Sequence, residues 1–187
     1  MNEKVLIEAF QTGDEFAFVS IYNRHKGAVY AFCAKMLLDK ARAQDAMQDT
    51  FLRVYENRAR LQKSGSFKAW LFTIARNQCL NQLRRSVRQV PLETEPFVFP
   101  KGIEKLEKSE QVKWMTHFLS RLKPEYREVI VLREYQGMSY EEIAAVTRTT
   151  ISSVKSRLFK ARRKLASIIA PAIEREHIRA TGDCKWS

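Results

Sequence analysis

A helix predicted near the C-terminal end of the chain carries two faces of opposite character. Its apolar residues recur at steps of four and three, which predicts one buried stripe: Val154, Leu158, Ala161, Leu165 and Ile168. The other face is basic and hydroxylated: Lys155, Ser156, Phe159, Lys160, Arg162 and Arg163. An exposed phenylalanine is unfavourable in water, but it suits a thymine methyl group, while the cations suit phosphates. This face is therefore predicted to contact duplex DNA.

A shorter helix is predicted directly before it. Ser139-Tyr140-Glu141-Glu142 has the spacing of a capping box, so that helix should begin at Tyr140 and bury Ile143 and Val146. The segment from Thr147 to Thr150 interrupts the pattern, and Ser152 or Ser153 offers the next N-cap. Two short helices with a basic second one form a helix-turn-helix. An ordinary helical hairpin with a solvated basic face would explain the charges but not Phe159.

A second segment that could bind nucleic acid runs from Ser66 to Asn77, where three aromatic residues lie among basic ones. Aromatic faces stack on unpaired bases, at ~1–3 kcal/mol each, while cations hold the backbone. This stacking would offset the few kcal/mol that unpairing a base costs. Periodicity alone favours a core position for Phe67, Leu71 and Ile74, and leaves Trp70 open.

The charge distribution supports two contacts with a polyanion. The chain has 33 Lys and Arg against 21 Asp and Glu, a formal net charge of +12. Residues 57–92 and 143–173 contain no acidic residue but many basic ones, whereas the stretch between them is mixed. Basic runs are often only solvated faces, but two such separate stretches favour nucleic acid over an anionic membrane surface.

The predicted fold class is all-α, with two small helical domains joined by a flexible linker and the helix-turn-helix in the second. Pro91, Pro96 and Pro100 place the linker. The expected bounds are 1–90, a linker at 91–108, 109–170 and a tail at 171–187. Helices are predicted over about 15–38, 40–58, 67–85 and 103–122, and from Pro124 toward a cap at Gly137. Ser66 is the expected cap of the third helix.

Other function classes lack support in the residues. Cys33, Cys79 and Cys184 are far apart and lack metal-ligand spacing, so they are expected to be reduced thiols in a cytoplasmic protein. No signal peptide, membrane span or catalytic constellation is recognisable. We therefore expect no enzymatic activity, no metal, no cofactor and no small-molecule substrate.

Three segments together resemble bacterial RNA polymerase sigma factors of the extracytoplasmic-function group. Residues 45–55, Asp-Ala-Met-Gln-Asp-Thr-Phe-Leu-Arg-Val-Tyr, look like the core-polymerase-binding motif. Residues 67–85 resemble the promoter-melting helix that reads the minus-ten element, and residues 122–165 resemble the domain that binds the minus-thirty-five element. The order of the three segments and the linker between the last two make the resemblance specific.

The resemblance implies roles for individual residues. Polymerase would be bound by a polar face that the residues alone would assign to solvent: Asp45, Gln48, Asp49 and Leu52. The minus-ten element would be bound by the turn from 60 to 66 and by the helix after it: Arg60, Lys63, Ser64, Trp70, Asn77, Asn81 and Arg84. The minus-thirty-five element would be bound by Ser153, Lys155, Ser156, Phe159 and Lys160, with Arg157 and Arg162 holding phosphates or packing.

The resemblance also implies an anti-sigma factor that sequesters the protein until a stress signal arrives. The sequence departs from the family pattern in the turn, where Arg148 replaces a frequent glycine and must adopt a left-handed conformation or change the turn. Thr150 and Ser152 replace a frequent proline and glycine, and Asn81 a frequent aspartate. The alternatives are a stand-alone activator or repressor with a helix-turn-helix, and a helical protein that binds RNA.

Overall fold

The structure, a computed structural model, describes residues 3–61, 66–87 and 108–181. Within these residues the secondary structure is entirely helical, as predicted. The first domain contains α1 (Glu3–Gln11), α2 (Glu15–Leu37), α3 (Lys40–Glu56), a 3-10 turn (Arg58–Arg60) and α4 (Phe67–Val87). The second contains α5 (Lys108–Ser120), α6 (Pro124–Ile130), a π-helical turn (Val131–Tyr135), α7 (Tyr140–Thr147) and α8 (Ile151–Thr181).

Aspartates cap α2 and α3 of the first domain. Asp14 accepts hydrogen bonds from the amides of Phe16 and Ala17 at 2.8 and 3.1 Å, and Asp39 accepts one from Arg42. Each carboxylate satisfies donors that a helix N-terminus leaves free and favours its positive dipole end. Ser66 caps α4 through the amide of Ala69, as predicted from the sequence.

The core of the first domain is aromatic and aliphatic. Phe32 of α2 and Phe72 of α4 meet edge to face with their ring centroids 5.4 Å apart, and both are fully buried. Tyr22 and Phe51 make a similar contact between α2 and α3. Helix α1, which was not predicted, adds to this core by burying Leu6 and Phe10 at helical spacing.

Several predicted bounds differ from the observed ones. The second predicted helix ends at Glu56 rather than near residue 58, because the chain tightens there into the 3-10 turn. The helix that opens at Pro124 widens at Val131 into a π-helical turn before Gly137 takes its left-handed conformation. Residues 103–107, the expected start of α5, lie outside the described residues.

The two domains pack directly against each other. Helix α7 of the second domain lies on α4 of the first, and the π-helical turn lies on α2. Gln136 follows that turn, and its side-chain amide donates to the main-chain oxygen of Ala28 at 3.3 Å. None of the helices among the described residues is both long and apolar enough to cross a membrane.

Candidate nucleic-acid interface

Local structure fixes both ends of α7, the first helix of the helix-turn-helix. Ser139 and Glu142 form the predicted capping box, with the Ser139 side chain accepting from the Glu142 amide and the Glu142 carboxylate accepting from the Ser139 amide. Arg148 ends α7 at φ 53° and ψ 48°, so this position adopts the left-handed conformation without glycine. That conformation is uncommon for a non-glycine residue and reverses the chain sharply.

The N-cap of α8 differs from the prediction. Helix α8 begins at Ile151, and the Thr150 hydroxyl accepts from the amide of Ser153 at 3.2 Å. Ser152 and Ser153 therefore lie inside the first turn rather than capping it. The helix therefore begins two or three residues earlier than the predicted caps imply, which is less than one full turn.

The free face of α8 is arranged as the sequence predicts. Lys155, Ser156 and Lys160 are exposed, and Phe159 is 65% exposed. Behind this face, Val154, Leu158 and Ala161 are fully or almost fully buried, whereas Leu165 and Ile168, predicted for the same stripe, are only half-buried. A shallow cavity of about 370 Å³ lies beside Phe159, between Tyr140 and Arg163. An exposed aromatic ring flanked by cations can enter a major groove with little rearrangement.

Arg157 and Arg162, which were expected to hold phosphates or to pack, form ion pairs within the protein. The Arg157 guanidinium lies 3.5 Å from the carboxylate of Glu128, and the Arg162 guanidinium lies 2.7 Å from that of Glu134. The hydrogen bond to Glu134 raises the pKa of Arg162, which is already above any physiological pH. Arg157 is the more buried of the two, and its ion pair fixes α8 against α6.

Helix α4 presents a second candidate surface, and here the structure corrects the stacking hypothesis. Phe67 and Phe72 are buried in the core, so only Trp70 of the three aromatic residues remains partly accessible. Trp70, Asn77, Asn81 and Arg84 follow one another at steps of seven, four and three, so they share one face. Asn81 and Arg84 are exposed and Asn77 is half-buried.

The turn before α4 is only partly described. Arg60 lies exposed at the end of the 3-10 turn. Lys63 and Ser64 lie outside the described residues. The N-terminal end of α4 is nevertheless fixed, because Ser66 caps it and Phe67 packs against Trp70 and His25.

A third surface lies on α3, away from the helix-turn-helix. Asp45, Gln48 and Asp49 are exposed, and Leu52 is 57% exposed beside them. The surface continues into an apolar groove of about 580 Å³ between α2 and α3: its lining residues are Glu15, Phe18, Val19, Tyr22, Gln48, Phe51, Leu52 and Tyr55. Such a groove, with a polar rim and an apolar floor, suits a helical partner.

The α3 side of this groove was predicted, but its α2 side, which includes Val19, was not. A second exposed apolar residue of α2, Phe16, lies outside the groove lining. Phe16 is 87% exposed, and Val19 one turn later is 52% exposed. Their spacing of three was a usable signal, because it places two large apolar residues on one helix face. This signal was hard to recognise because the buried apolar residues of α2 recur at a similar spacing on the opposite side of the helix.

Two cysteines that the sequence places far apart meet in the core. Cys33 of α2 and Cys79 of α4 are both fully buried and unbridged. A hydrogen bond to Cys33, together with burial, raises the pKa of the Cys79 thiol. Raised pKa and burial both make a thiol unreactive, so this pair belongs to the packing of α2 against α4.

Comparison with known families identifies both halves of the chain. The sequence model of sigma-70 region 2 matches residues 21–89, which cover most of α2 and all of α3 and α4. The model of sigma-70 region 4 matches residues 113–165, which include α6, α7 and the first half of α8. Between them the two matches cover well over half of the chain.

Similar proteins extend over nearly the whole length. The RNA polymerase sigma-H factor of Pseudomonas aeruginosa is 27% identical over 185 residues, covering 92% of this chain and 96% of that protein. The ECF RNA polymerase sigma-E factor of Escherichia coli K12 is 28% identical over 190 residues, covering 94% and 98%.

Two similar solved structures are complexes. CnrH bound to the cytosolic domain of CnrY matches with a TM-score of 0.72 and 25% identity, covering 90% of this chain and 97% of that one. The sigma factor RpoE bound to the anti-sigma factor NepR, from Bartonella quintana, matches with a TM-score of 0.68 and 26% identity, covering 82% and 96%.

Proposed function

Because this chain belongs to the sigma-70 family and resembles its extracytoplasmic-function group throughout, we propose that it is an alternative sigma factor. In this role it binds core RNA polymerase, recognises promoters and starts transcription of a stress-type regulon, with no catalytic activity of its own. The observation that carries the proposal is the free face of α8, where Phe159 stands exposed between Ser156 and Lys160 on a capped helix-turn-helix. On a helix with only a structural role, an exposed phenylalanine ring would be unfavourable in water and would gain no compensating contact.

The second domain is proposed to read the minus-thirty-five element. Lys155, Ser156, Phe159 and Lys160 lie on the solvent side of α8, where base edges in a major groove would be reached, and Ser153 lies at its first turn. Arg157 and Arg162 hold this helix in place through Glu128 and Glu134. Because these pairs already engage both guanidiniums, we assign these arginines to positioning, with phosphate contact as their secondary role.

The first domain is proposed to bind the melted minus-ten strand. Trp70, Asn77, Asn81 and Arg84 form one face of α4, with an aromatic ring, two amides and a cation for bases and backbone. With Phe67 and Phe72 buried, the stacking contribution of ~1–3 kcal/mol per base comes from Trp70 alone. The turn with Arg60, Lys63 and Ser64 is proposed to hold the flipped base.

Polymerase is proposed to bind the face of α3 that carries Asp45, Gln48, Asp49 and Leu52. The carboxylates and the amide give this surface charge and directional hydrogen bonds, while Leu52 continues into the groove toward Val19. A charged rim favours fast and specific association, and an apolar centre supplies most of the affinity. This surface lies on a different helix from both proposed DNA-binding faces, so none of the three proposed contacts shares residues with another.

An anti-sigma factor is the further proposed partner. One similar structure is explicitly a sigma factor bound to an anti-sigma factor, and it covers 82% of this chain. The exposed Phe16 and Val19 give such a partner an apolar place to bind.

Run-off transcription tests the proposal directly. Purified chain is added to core polymerase with genomic fragments, and we expect discrete transcripts from a small set of promoters. The opposing result is that core with the chain starts no more transcripts than core alone, while the chain binds operator sites unaided. That result would assign the protein to the stand-alone activators or repressors.

A further inference from the structure

Helix α1 ends against the 3-10 turn that follows α3. Gln11 is the last residue of α1, and its side-chain amide donates a 2.6 Å hydrogen bond to the main-chain oxygen of Leu61, 50 positions away. Leu61 is buried and directly follows the 3-10 turn Arg58–Arg60. A side chain of α1 thus holds the end of a segment that carries Arg60, one of the residues proposed to bind the minus-ten element.

The N-terminal segment is itself fixed in place. Leu6 and Phe10 bury one side of α1 in the core. Beyond Gln11 the chain reverses at Gly13, whose φ of 98° is a left-handed value that favours glycine. A Cβ atom at Gly13 would lie 3.9 Å from the Arg58 guanidinium, so this reversal also adjoins the 3-10 turn. The N-terminal segment therefore reaches the turn at two places, one on each side of Arg60 in the sequence.

The 3-10 turn depends on such contacts because its own hydrogen bonds are few. The amide of Arg60 donates to the main-chain oxygen of Asn57 at 2.9 Å, and the amide of Leu61 donates to that of Arg58 at a longer 3.3 Å. Short 3-10 turns have poorer hydrogen-bond geometry than α-helices. The Arg58 side chain strengthens the start of the turn by donating to the last turn of α3 at 2.9 Å. The hydrogen bond from Gln11 strengthens its end.

Arg60 is the cation of this turn that is available to a ligand. It is exposed, whereas Arg58 is half-buried and stacks on the Tyr55 ring at 4.5 Å. A flexible cation must be ordered when it binds a strand, and the free energy of ordering opposes binding. A turn that is already fixed at both ends presents Arg60 without that cost.

We propose that Gln11 is a positioning residue for Arg60: its hydrogen bond to Leu61 fixes the turn, and the fixed turn presents Arg60 to the minus-ten strand. This inference rests on the proposed function, in which Arg60 contacts that strand. Gln11 acts through the main chain and not by touching DNA. The DNA-binding part of the first domain then includes α1, which precedes residues 21–89 of the sigma-70 region 2 match.

Hydrogen exchange in the free chain tests the anchoring without polymerase. Gln11→Met keeps the length of the side chain but removes its donor. The amides of Arg60 and Leu61 should then exchange about three- to tenfold faster, as expected for the loss of one hydrogen bond. Gln11→Lys restores a donor and should bring both rates back toward those of the parent.

Thr12→Ala is the matched control. The Thr12 hydroxyl lies at the same end of α1 but donates to the main-chain oxygen of Ala9, so its removal should leave the turn unchanged. Parent-like exchange at Arg60 and Leu61 in Gln11→Met, or equally fast exchange in Thr12→Ala, would overturn the proposal.

Strand binding by the holoenzyme tests whether the anchoring acts through Arg60. The probe is a fluorescent oligonucleotide with the non-template strand of a minus-ten element from a promoter found by run-off transcription. We expect Gln11→Met to weaken binding by about threefold, within the contribution of one hydrogen bond. Arg60→Ala should weaken it as well, and the double variant should bind no more weakly than Arg60→Ala alone. Thr12→Ala should bind like the parent.

The double variant distinguishes positioning from a general effect on the fold. If the losses of Gln11→Met and Arg60→Ala were additive, Gln11 would act independently of Arg60 and the proposal would be wrong. Parent-like binding by Gln11→Met would contradict it equally. A parent holoenzyme that binds the oligonucleotide no better than core polymerase alone would contradict the proposed function and the DNA contact of Arg60, whereas the exchange rates would still report the anchoring by Gln11.

Discussion

The Nη1 atom of Arg127 donates a 2.8 Å hydrogen bond to the main-chain oxygen of Met36, across 91 positions of sequence. The same guanidinium donates to the main-chain oxygens of Leu119, Ser120 and Leu122 at 2.8, 3.4 and 3.2 Å. Carbonyls near the ends of α2 and α5 lack helical partners, so one side chain satisfies both helix ends. Burial lowers the pKa of Arg127 to about 10, which leaves it charged at neutral pH.

Arg127→Ala is therefore expected to destabilise the fold. Each buried carbonyl left without a donor costs about 1–3 kcal/mol, and at least one of the four will stay unsatisfied after relaxation. Urea unfolding followed by circular dichroism measures the loss. Arg127→Lys should be intermediate, because an ammonium cannot reproduce the planar fork of donors. Arg121→Ala, at an exposed position nearby, is the control and should change little. A loss no larger than that of the control would contradict this role.

Local rules predicted much of the second domain. The spacing of Ser139 and Glu142 gave the start of α7 and its capping box, and the stripe through Val154, Leu158 and Ala161 gave the buried side of α8. These features depend on neighbours within one or two turns, which a sequence displays directly. The family resemblance and the two-domain helical fold are confirmed by the matches to sigma-70 regions 2 and 4. The domain bounds and the roles of the site residues stay predictions.

Contacts between distant segments were not predictable in this way. The pair of Arg76 with Glu128 spans 52 positions, and no periodicity reports which acid a basic residue will meet. Cys33 and Cys79 are far apart in sequence and adjacent in the core for the same reason. The periodicity assigned no side to Phe72, which is fully buried because α4 packs against more than one neighbouring helix.

Phe159→Ala is expected to weaken the binding of the second domain to the minus-thirty-five element. The expected loss is the ~1–3 kcal/mol of one base contact. The ring is 65% exposed, so its removal should leave thermal stability almost unchanged. Fluorescence anisotropy with matched and scrambled duplexes separates sequence-specific from non-specific DNA binding. Phe16→Ala, which removes an exposed ring in the first domain, is the control. An equal loss on both duplexes would assign Phe159 to non-specific contact.

Thr150→Ala should destabilise the protein by about 1 kcal/mol, the usual contribution of a helix N-cap. The Thr150 hydroxyl accepts from the amide of Ser153, and alanine would leave that donor to water. Ser152→Ala removes a hydroxyl two residues later, inside the helix, and is expected to be nearly neutral. Thermal unfolding of the two variants shows whether Thr150 or Ser152 caps the helix. If Ser152→Ala proved the more damaging change, the helix would begin later than the structure shows.

Leu52→Ala and Asp49→Ala should each reduce affinity for core polymerase by about 1–2 kcal/mol if they belong to the centre of that interface. Both side chains are exposed, so stability should not change. Titration of labelled protein with core polymerase gives the affinity. Gln44→Ala, exposed on α3 at a position with no assigned role, is the matched control. Affinities that match the control would place the polymerase contact elsewhere.

His25 should make the fold sensitive to mild acid. Burial is the main cause that lowers its pKa below the ordinary 6.5, with nearby Arg24 and Lys68 acting in the same direction and Glu3 opposing them at 3.8 Å. As the pH falls below about 6.5, the unfolded chain binds a proton at His25 before the folded one does. This group therefore favours unfolding increasingly in that window, and its effect is absent at higher pH.

Thermal unfolding of the parent and of His25→Gln at pH 7.5 and 5.5 measures this contribution. Glutamine does not titrate, so the melting temperature of His25→Gln should fall less between the two values. Glu3→Gln should fall more than the parent, because removal of the opposing carboxylate lowers the folded pKa of His25 further. An acid-induced fall that is the same in all three proteins would show that other carboxylates or histidines govern the response, since only a group with a different pKa in the folded and unfolded states contributes to the slope.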